Sequence, residues 1–237
     1  MTAIDRRARM AIAAAIIVAA VLVAPMLVGG HDDMRPHVEP GTMVEREYTW
    51  MYGSHSVSLQ ISADDYLAAT AQDRGRVTAS SYANYITPDC PVVIALANAI
   101  AAIDGDPAAI ALSFVQSIEY QTDLDGYGVN EYPAYPIETL VNGYGDCEDT
   151  AALYVSIMRV LGYDAVLLAM FYLPDGHMAA GIAGPYIGTG MPYGYIDGNI
   201  FDGTIYYYCE TSGPFGIGEV PSNIDWYPPK VQVLGAA

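Results

Sequence analysis

The sequence predicts an α+β domain in which a layer of helices packs on an antiparallel sheet, preceded by one membrane-spanning helix at the amino terminus. Three observations support this fold class. An uncharged apolar run extends from Met10 to Val28, helical periodicity recurs between residues 91 and 161, and short strand-like runs between turn residues follow. A chain of 237 residues that is 53% hydrophobic also has enough material for one domain with a sizeable core.

The distribution of charge separates an amino-terminal anchor from an acidic body. Arg6, Arg7 and Arg9 directly precede the apolar run, and a helix needs about 20 apolar residues to cross a bilayer. The positive-inside rule then makes residues 1–9 a cytoplasmic basic tail and residues 10–30 a transmembrane signal anchor in the lipid bilayer, with the remainder extracellular. A cleaved signal peptide, which would release the domain, is the alternative.

The acidic body excludes one class of partner. The formal net charge of the chain is −18, and such a surface repels phosphate backbones, so nucleic acid is not an expected partner. The same charge favours neutral or basic substrates. The high hydrophobic content, with 20 tyrosines, excludes intrinsic disorder.

A linker and a β-hairpin are predicted at the start of the body. Residues 31–42 are polar, contain two prolines and suit an extended linker ahead of a domain that covers residues 43–237. Apolar and polar residues alternate over residues 43–62 around Gly53 and Ser54. This pattern predicts two paired strands with a turn at the glycine.

Two helices are predicted to follow the hairpin. Residues 91–103 and residues 107–120 each begin with a proline, which is favoured in the first turn of a helix, and Asp106 can cap the second helix. The next stretch, residues 121–136, has no apolar period and is rich in turn-forming residues. These patterns predict a helical layer and the loop that ends it.

Two aspartates in this loop resemble the start of a calcium-binding loop. Asp123 and Asp125 precede Gly126 with the appropriate spacing, but the remaining ligands of such a loop are missing. A solvated turn is therefore favoured. No cofactor and no metal site are predicted.

The next predicted helix begins with a cysteine. Spacings of three or four residues place Cys147, Ala151, Tyr154, Met158 and Leu161 along one helical face. Unsatisfied backbone N–H groups in the first turn of a helix stabilise a thiolate. Cys147 is therefore a candidate nucleophile.

Three carboxylates beside this cysteine oppose the effect of the helix. Asp146, Glu148 and Asp149 surround the thiol with negative charge. The helix dipole contributes about 0.3–1 kcal/mol, which is less than the roughly 1.36 kcal/mol that shifts a pKa by one unit. A cation next to the sulfur is therefore needed.

A histidine and an acid follow on two predicted strands. His177 opens a strand after a buried strand and a Pro-Asp-Gly turn. In a third strand, residues 204–211, alternation places Tyr206, Tyr208 and Glu210 on one face. Glu210 can accept the ring N–H of the histidine, which would fix its tautomer and favour the imidazolium.

Other residues are alternatives for the acid and candidates for a substrate groove. Asp197 and Asp202, in the loop before the third strand, are the alternative acids. Tyr193, Tyr195 and Tyr206 are candidate walls of the groove, although tyrosines in such numbers more often belong to the core and its rim.

The residues around these positions resemble a known family. The segments YPIETLVNGYGDCEDTAALYVSIMRVL, GHMAAGI and YYYCETSGPFGIGEVP resemble transglutaminase-like proteins of archaeal cell envelopes, over roughly residues 43–225. The resemblance implies a papain-like, transglutaminase-like domain with its nucleophile at a helix amino terminus. It also implies a triad of Cys147 as nucleophile, His177 as general base and Glu210 as orienting acid, where the wider superfamily usually has aspartate.

The residues and the resemblance together predict a membrane-anchored, extracytoplasmic, cysteine-dependent acyl transferase or hydrolase that hydrolyses or transamidates a peptide or amide. A protein or peptide is the expected substrate, with envelope proteins as candidates. Gln116 and Tyr144 are suggested side-chain donors to the oxyanion. The alternative is a non-catalytic transglutaminase-like binding or scaffold module of the cell surface.

Three cysteines leave an odd thiol in an oxidising compartment. If Cys147 must stay reduced, Cys90 and Cys209 are the expected disulfide pair, since Cys209 points away from the strand face that carries Glu210. Three separate thiols are the alternative.

Overall fold

An antiparallel sheet with helices against one face organises the chain in a computed structural model. The structure describes residues 34–50, 55–184, 195–196, 204–225 and 227–236.

The predicted membrane anchor at residues 10–30 lies outside the described residues, together with the predicted basic tail. Among the helices that the structure does describe, none has the length and the apolar character needed to cross a membrane. The anchor therefore stays a prediction.

Short elements alternate along the described chain. Short 3-10 helices occur at Ala79–Tyr85 and Pro228–Lys230. The α-helices are α1 (Ala63–Thr70), α2 (Pro91–Ala101), α3 (Pro107–Val115), α4 (Asp123–Tyr127), α5 (Pro136–Asn142) and α6 (Cys147–Val160). The strands are β1 (Met43–Thr49), β2 (Ser56–Ser62), β3 (Glu119–Tyr120), β4 (Tyr144–Gly145), β5 (Ala165–Ala169), β6 (Met178–Ala183), β7 (Tyr195–Ile196), β8 (Tyr206–Cys209) and β9 (Gln232–Leu234).

The register of the main sheet brings two strand ends together. Within the described residues this sheet has five strands in the order β7-β8-β6-β5-β9, with every neighbouring pair antiparallel. β5 is an apolar run that is buried at all of its five positions. β6 pairs with β8 so that Ala180 lies opposite Cys209. The start of β6 and the end of β8 therefore lie at the same edge of the sheet.

Helix α6 packs against this sheet and is enclosed on all sides. Every residue from Asp149 to Met158 is buried. On the predicted apolar face Ala151, Tyr154 and Met158 are fully buried, whereas Cys147 and Leu161 at its two ends are partly exposed. Gly162, at φ +85°, follows the helix in the left-handed region that glycine favours.

The predicted hairpin is present, since β1 and β2 pair antiparallel along their full length. Its turn lies outside the described residues. Tyr48 donates its hydroxyl hydrogen to the carbonyl of Leu140 at 2.5 Å, and Nε of Arg46 donates to the carbonyl of Val141 at 2.6 Å. These bonds hold the hairpin against α5.

The two predicted helices of the helical layer are confirmed, but both end earlier than predicted, at Ala101 and Val115. Asp106 caps the second, because its side chain accepts the N–H of Ala108 at 3.1 Å. The helices α1 and α5 and the strand β9 were not predicted. These elements are short, and α5 follows a stretch whose turn-forming residues obscure its start at Pro136.

Alternation along β8 agrees with the prediction. Tyr207 and Cys209 belong to the core beneath the helices, whereas Tyr206 and Tyr208 belong to a second cluster on the other face of the sheet. Glu210 follows the strand directly.

The structure corrects the predicted disulfide between Cys90 and Cys209, because all three cysteines are free thiols. Cys90 lies at the N-cap position of α2. Cys209 is fully buried in the sheet, with its sulfur 3.8 Å from the hydroxyl of Tyr154. The two thiols occupy different environments, and the alternative of separate thiols describes this fold.

Candidate active site

The sulfur of Cys147 lies where helix α6 and strand β6 both begin. Cys147 is the first residue of α6, as predicted. Its sulfur accepts a hydrogen bond from the backbone N–H of Met178, the first residue of β6. Its thiol donates to Oε2 of Glu148 at 3.2 Å. The sulfur is thereby held beside the residue that follows His177.

The surroundings of Cys147 oppose its ionisation, as the sequence predicts. Burial and then the charges of Glu148 and Asp146 raise the pKa of the thiol well above its ordinary value, while the N–H of Met178 acts in the opposite direction. Among the described residues, no hydrogen bond joins the sulfur to the ring of His177. In this arrangement the thiol is protonated and Glu148 is its partner.

His177 and Glu210 are in direct contact. Nε2 of His177 lies 2.9 Å from Oε2 of Glu210. The side chain of the histidine is 15% exposed and that of the glutamate 3%, so the pair is shielded from water. Because Nε2 faces the carboxylate, Nδ1 is the ring nitrogen that is left for another partner.

Hydrogen-bond donors surround the carboxylate of Glu210. Oε2 accepts the hydroxyl of Tyr208 at 2.5 Å, and Oε1 accepts both the N–H and the hydroxyl of Ser212, at 3.0 and 2.6 Å. Burial acts to raise the pKa of Glu210, but the hydrogen bond and charge of His177, together with Ser212 and Tyr208, lower this pKa to about 2. Glu210 is therefore ionised at neutral pH. The sequence analysis placed Tyr208 on the same face but gave no role to it or to Ser212.

The side chain of Gln116 holds the backbone of Glu210. Its Nε2 donates to the carbonyls of Glu210 and Phe215, both at 2.8 Å. The suggested role of Gln116 as an oxyanion donor is therefore wrong, because its amide N–H groups are already used. Tyr144, the other suggested donor, directs its hydroxyl to the carbonyl of Gly126 at 3.2 Å.

A buried hydrogen bond also ties the helix to this strand end. The hydroxyls of Thr150, in α6, and Thr211, which follows Glu210, lie 2.9 Å apart, and both residues are 1% exposed or less. The start of the helix and the acid are thus fixed relative to each other.

Aromatic side chains that sequence analysis did not single out lie near the thiol. Burial is the main cause of the raised pKa values of Tyr82 and Tyr120, and charge at Cys147 raises both further. Both hydroxyls therefore lie within electrostatic range of the sulfur. Phe171 packs on Tyr82 with ring centroids 6.2 Å apart and is 42% exposed. Tyr82 and Tyr120 are therefore candidate walls of a groove beside Cys147, and Phe171 extends the ring surface of Tyr82.

The structure corrects the placement of one predicted groove residue. Tyr206 is 4% exposed, and its hydroxyl donates to Oδ2 of Asp164 at 3.0 Å. It pairs with Ala183 at the start of β8, so the length of the strand separates it from Glu210. Tyr206 therefore does not line a groove at the candidate site.

Most of the remaining predicted residues of this region lie outside the part of the chain that the structure describes. Tyr193 and the alternative acids Asp197 and Asp202 lie outside the described residues. The backbone of Tyr195 pairs with that of Tyr207 in the sheet. Glu210 is the predicted acid that the structure places at the histidine.

An acidic cluster borders the start of α6. One carboxylate oxygen each of Asp123, Asp146 and Asp149 lie within 4.8 Å of one another, and the same holds for Asp123, Glu131 and Glu148. Burial raises the pKa of Asp123 to about 7, and Glu148 and Glu131 add to this. Burial and neighbouring carboxylates likewise raise the pKa values of Asp146 and Asp149.

This cluster changes two interpretations of the sequence. Asp123 was expected in a solvated turn, but it is 4% exposed and is the first residue of α4. Asp146, expected to act as a charge beside the thiol, occupies the N-cap position of α6, yet its side chain makes no capping hydrogen bond. The two acidic segments are each visible in the sequence, but only the fold brings them together.

Comparisons with known proteins bear on this site. Among solved structures, calcium-bound LapG of Legionella pneumophila is similar at 19% identity, over 73% of this chain and 82% of that chain, with a TM-score of 0.32. A search of curated proteins finds no match. A sequence model of the transglutaminase-like superfamily matches residues 95–191, a segment that contains Cys147 and His177 but ends before Glu210. The predicted resemblance to transglutaminase-like proteins is therefore confirmed at the level of this superfamily, for the segment that carries the cysteine and the histidine.

Proposed function

We propose that the protein is a cysteine-dependent acyl transferase or hydrolase that acts on peptide or amide bonds. Cys147 is the nucleophile, His177 the general base and Glu210 the acid that orients the histidine. The observation that carries the proposal is the 2.9 Å contact between His177 and Glu210, at the sheet edge where the sulfur meets the backbone of Met178. The superfamily match of residues 95–191 supports the same chemistry.

The ionised state of Glu210 determines which nitrogen of His177 acts as the base. A carboxylate with a pKa of about 2 stays ionised and accepts a hydrogen bond from the Nε2–H of His177, so in the neutral imidazole Nδ1 carries the lone pair. Nδ1 then takes the proton of the Cys147 thiol as the sulfur attacks the carbonyl carbon of the substrate. Before this step the thiol must exchange Glu148 for the imidazole as its hydrogen-bond partner.

The following steps use the same groups. Backbone N–H groups at the start of α6, including that of Cys147, stabilise the tetrahedral oxyanion. Collapse of this intermediate breaks the C–N bond, and His177 gives its proton to the leaving amine, so that a thioester remains. Water or an amine then attacks the thioester while His177 takes its proton, the C–S bond breaks, and His177 returns this proton to the sulfur, which leaves as the thiol. Water yields a carboxylic acid, and an amine yields a new amide.

The substrate in this proposal is a neutral or basic polypeptide segment, such as part of an envelope protein. Tyr82, whose hydroxyl lies within electrostatic range of the sulfur, offers apolar surface together with Phe171, which packs on its ring. Two neighbouring carboxylates, those of Glu131 and Glu148, supply negative charge next to this surface. Oε1 of Glu131 accepts the hydroxyl of Tyr82 at 2.6 Å. We place the domain outside the cell, anchored by residues 10–30.

The state of the thiol supports a second candidate function, a non-catalytic transglutaminase-like module of the cell surface. Cys147 is hydrogen-bonded to Glu148, and its pKa is raised. A thiol that stayed in this state would not act as a nucleophile. Its reactivity therefore separates the two functions.

Alkylation by iodoacetamide, followed at each cysteine by mass spectrometry, tests the proposed enzyme. Cys90 is an internal reference, because it lies at the N-cap of a helix, one position before the place that Cys147 has in α6, and has no histidine partner among the described residues. Cys147 is expected to react at least about 10-fold faster than Cys90 at pH 7, and His177→Ala is expected to remove this difference. Cys209, which is fully buried, reports unfolding if it reacts. Equal rates at Cys147 and Cys90 in the unaltered protein would contradict the proposal.

A peptide library offered with and without a primary amine separates hydrolysis from transamidation. The expected product is a new carboxylic acid or a new amide, through a thioester on Cys147 that mass spectrometry detects as an acyl adduct. Cys147→Ser retains the size of the side chain and is expected to lower turnover by at least about 100-fold. Unchanged turnover in this variant would contradict the assigned nucleophile.

A further inference from the structure

Strand β3 has one edge that is paired and one that is open. It pairs in parallel with β4, so that Glu119 lies opposite Tyr144 and Tyr120 lies opposite Gly145. The N–H of Gln121 donates to the carbonyl of Gly145 at 3.1 Å. Because the backbone polar groups of successive strand residues point to opposite sides in turn, those of Tyr120 point away from β4.

The backbone of Tyr120 has no partner on the open side. Among the described residues, neither its N–H nor its C=O makes a hydrogen bond, and the small sheet consists of β3 and β4 alone. Both residues of β3 are exposed, and Tyr120 is 54% exposed. An exposed strand edge with unpaired N–H and C=O groups is a template for another extended chain.

The open edge lies beside the candidate active site. Strand β4 ends at Gly145, two residues before Cys147. Charge at Cys147 raises the pKa of Tyr120, so the hydroxyl of this tyrosine lies within electrostatic range of the sulfur. Neighbouring strands are about 4.8 Å apart. A chain paired with β3 would therefore lie within about 10 Å, or two strand spacings, of the segment that leads into Cys147.

We propose that β3 binds an extended segment of the polypeptide substrate as a third strand, with one substrate residue paired to the N–H and the C=O of Tyr120. This inference rests on the proposed function of Cys147, because a substrate of that function is the chain that must reach the sulfur. The backbone of the segment makes these bonds, so recognition requires an extended, unpaired stretch of polypeptide more than a particular sequence.

The side chains around the edge favour an apolar or basic segment. Glu119 in β3 and Asp125 in the following helix are exposed carboxylates, and each would repel an acidic segment. Leu124 is 45% exposed and Met34 55%. The sulfur of Met34 accepts a hydrogen bond from Nε2 of Gln121 at 3.1 Å, which places this apolar side chain next to the end of β3.

Peptides that carry an alkylating group test the edge in the full chain in mild detergent. The probes are iodoacetyl-Ser-Val-Arg-Val amide and the same peptide with a chloromethyl ketone at its carboxyl end, which approach the sulfur from opposite directions. Iodoacetamide and a chloromethyl ketone without the peptide are the references. One of the two probes is expected to alkylate Cys147 at least about 10-fold faster than its reference, because pairing holds its reactive carbon near the sulfur. A single N-methyl group at the peptide residue that pairs with Tyr120 is expected to remove this gain, because it removes a hydrogen-bond donor.

Tyr120→Pro and Tyr120→Ala form a matched pair of variants. Both lose the aromatic ring, but only proline lacks the backbone N–H. Proline is tolerated in an edge strand where its nitrogen faces away from the neighbouring strand, so the two variants are expected to unfold within about 4 °C of each other. The rate with the peptide probe, divided by the rate with its reference, is expected to be at least about 10-fold lower in Tyr120→Pro than in Tyr120→Ala.

Hydrogen exchange gives a readout that does not need a reactive thiol. In Cys147→Ala, saturation with acetyl-Ser-Val-Arg-Val amide is expected to slow exchange of the Tyr120 N–H at least about 10-fold. The N–H of Gln121 is the internal control, because it is already bonded to Gly145 and is expected to change less.

The outcomes separate this inference from the proposed function. Protection of the Tyr120 N–H by the peptide, together with a Cys147 that reacts no faster than Cys90, would support strand addition and contradict the enzyme. A reactive Cys147 without a peptide gain from either probe, or with equal rate ratios in the two Tyr120 variants, would overturn strand addition alone. A dimer that forms without peptide and disappears in Tyr120→Pro would assign the edge to a second copy of the chain and overturn the proposal as well. If Tyr120→Pro does not fold, the N-methyl peptides and the exchange of the Tyr120 N–H decide.

Discussion

Glu210 and Asp149 are both carboxylates with almost no solvent exposure, 2% and 1%, but their partners differ completely. Glu210 receives hydrogen bonds from His177, Tyr208 and Ser212, which use both of its oxygens. Asp149 receives one from a backbone N–H, and its second oxygen has none. Burial is therefore common to both sites, and only the first has the donors that stabilise a charge.

The difference is visible in the ionisation of the two regions. Donors and a neighbouring imidazole lower the pKa of Glu210 to about 2 despite its burial. In the acidic cluster burial prevails, and it raises the pKa of Asp123 to about 7. The comparison teaches that burial alone does not set the ionisation of a carboxylate, because the donors around it decide whether its charge is stabilised.

The buried glutamate of α5 shows that the chain can supply a cation when its fold requires one. Glu138 is fully buried, and it pairs with Arg74 and accepts the hydroxyl of Tyr132. Tyr132 also donates its backbone N–H to Asp123. Arg74 thus contacts the ring of Tyr132, whose backbone N–H binds Asp123, but its guanidinium pairs with Glu138 and not with the acidic cluster.

Removing the carboxylate of Glu210, which accepts hydrogen bonds from His177, Tyr208 and Ser212, is expected to have the largest effect. Glu210→Ala leaves the donors of His177, Tyr208 and Ser212 without their acceptor. Each buried donor left unsatisfied costs about 1–3 kcal/mol, so stability is expected to fall by several kcal/mol in total, and alkylation of Cys147 is expected to fall to the rate found in His177→Ala. Urea unfolding and the alkylation assay measure the two effects.

The control for this substitution is Glu219→Ala. Glu219 is an exposed glutamate that accepts only the N–H of Gly216, at 3.0 Å, among the hydrogen bonds of its side chain in the described residues. Its removal is expected to cost less than about 1 kcal/mol and to leave Cys147 reactivity unchanged. Similar results for the two variants would mean that Glu210 has no special role.

Acid is expected to break the same site gradually. The folded-state pKa of Glu210, about 2, lies below its ordinary value of 4.5. The stabilisation is therefore fully present above pH 4.5 and is lost as the pH falls toward 2, and it amounts to about 3 kcal/mol. The free energy of unfolding of the parent chain is expected to fall more steeply between pH 5 and pH 2 than that of Glu210→Gln. Parallel curves would contradict the assigned pKa.

The candidate triad could be predicted from the sequence because each member sits at the end of a regular element. The helical spacing after Cys147 and the alternation along β8 fix where Cys147 and Glu210 emerge, and a Pro-Asp-Gly turn fixes His177. The acidic cluster could not be predicted in this way. Asp123 lies in a stretch without a period, and its approach to Asp149 depends on how the loop packs.

The same limit applies to the disulfide and the groove. A strand pattern shows that Cys209 faces the helices, but it does not show that Tyr154 rather than Cys90 lies opposite. Tyr82 and Phe171 are far apart in the sequence and meet only through tertiary packing. Short-range patterns place side chains on faces, and the contacts between faces come from the fold.

A methyl group at Gly145 is expected to disturb the acidic cluster, with a smaller effect on stability than Glu210→Ala. A Cβ there would lie 2.8 Å from Cβ of Asp149 and 3.0 Å from its Oδ2. Overpacking of this kind costs about 2 kcal/mol, because Asp149 cannot move away without straining its hydrogen bond from the N–H of Ala134. Thermal unfolding of Gly145→Ala measures this loss of stability.

Gly143→Ala is the control for that substitution. Gly143 has φ +83°, and a Cβ there meets nothing within 4 Å. Its cost is therefore backbone strain alone, about 1 kcal/mol, and its Tm is expected to fall by less than that of Gly145→Ala. Equal losses of stability in the two variants would mean that the contact between Gly145 and Asp149 has no bearing on the cluster.

Removing a single hydrogen-bond donor of Glu210 is expected to have the smallest effect. It tests whether each donor contributes to the reactivity of Cys147. Tyr208→Phe keeps the ring in its buried cluster but loses the 2.5 Å hydrogen bond to Oε2. The loss of stability is expected to be about 1 kcal/mol, since the carboxylate retains its other donors. Tyr206→Phe is the matched control, because its hydroxyl bonds Asp164 at the other end of β8. Both variants are expected to lose similar stability, but only Tyr208→Phe is expected to slow alkylation of Cys147 severalfold. Equal alkylation in the two variants would show that His177 and Glu210 keep their arrangement without the tyrosine, and that the tyrosine serves packing alone.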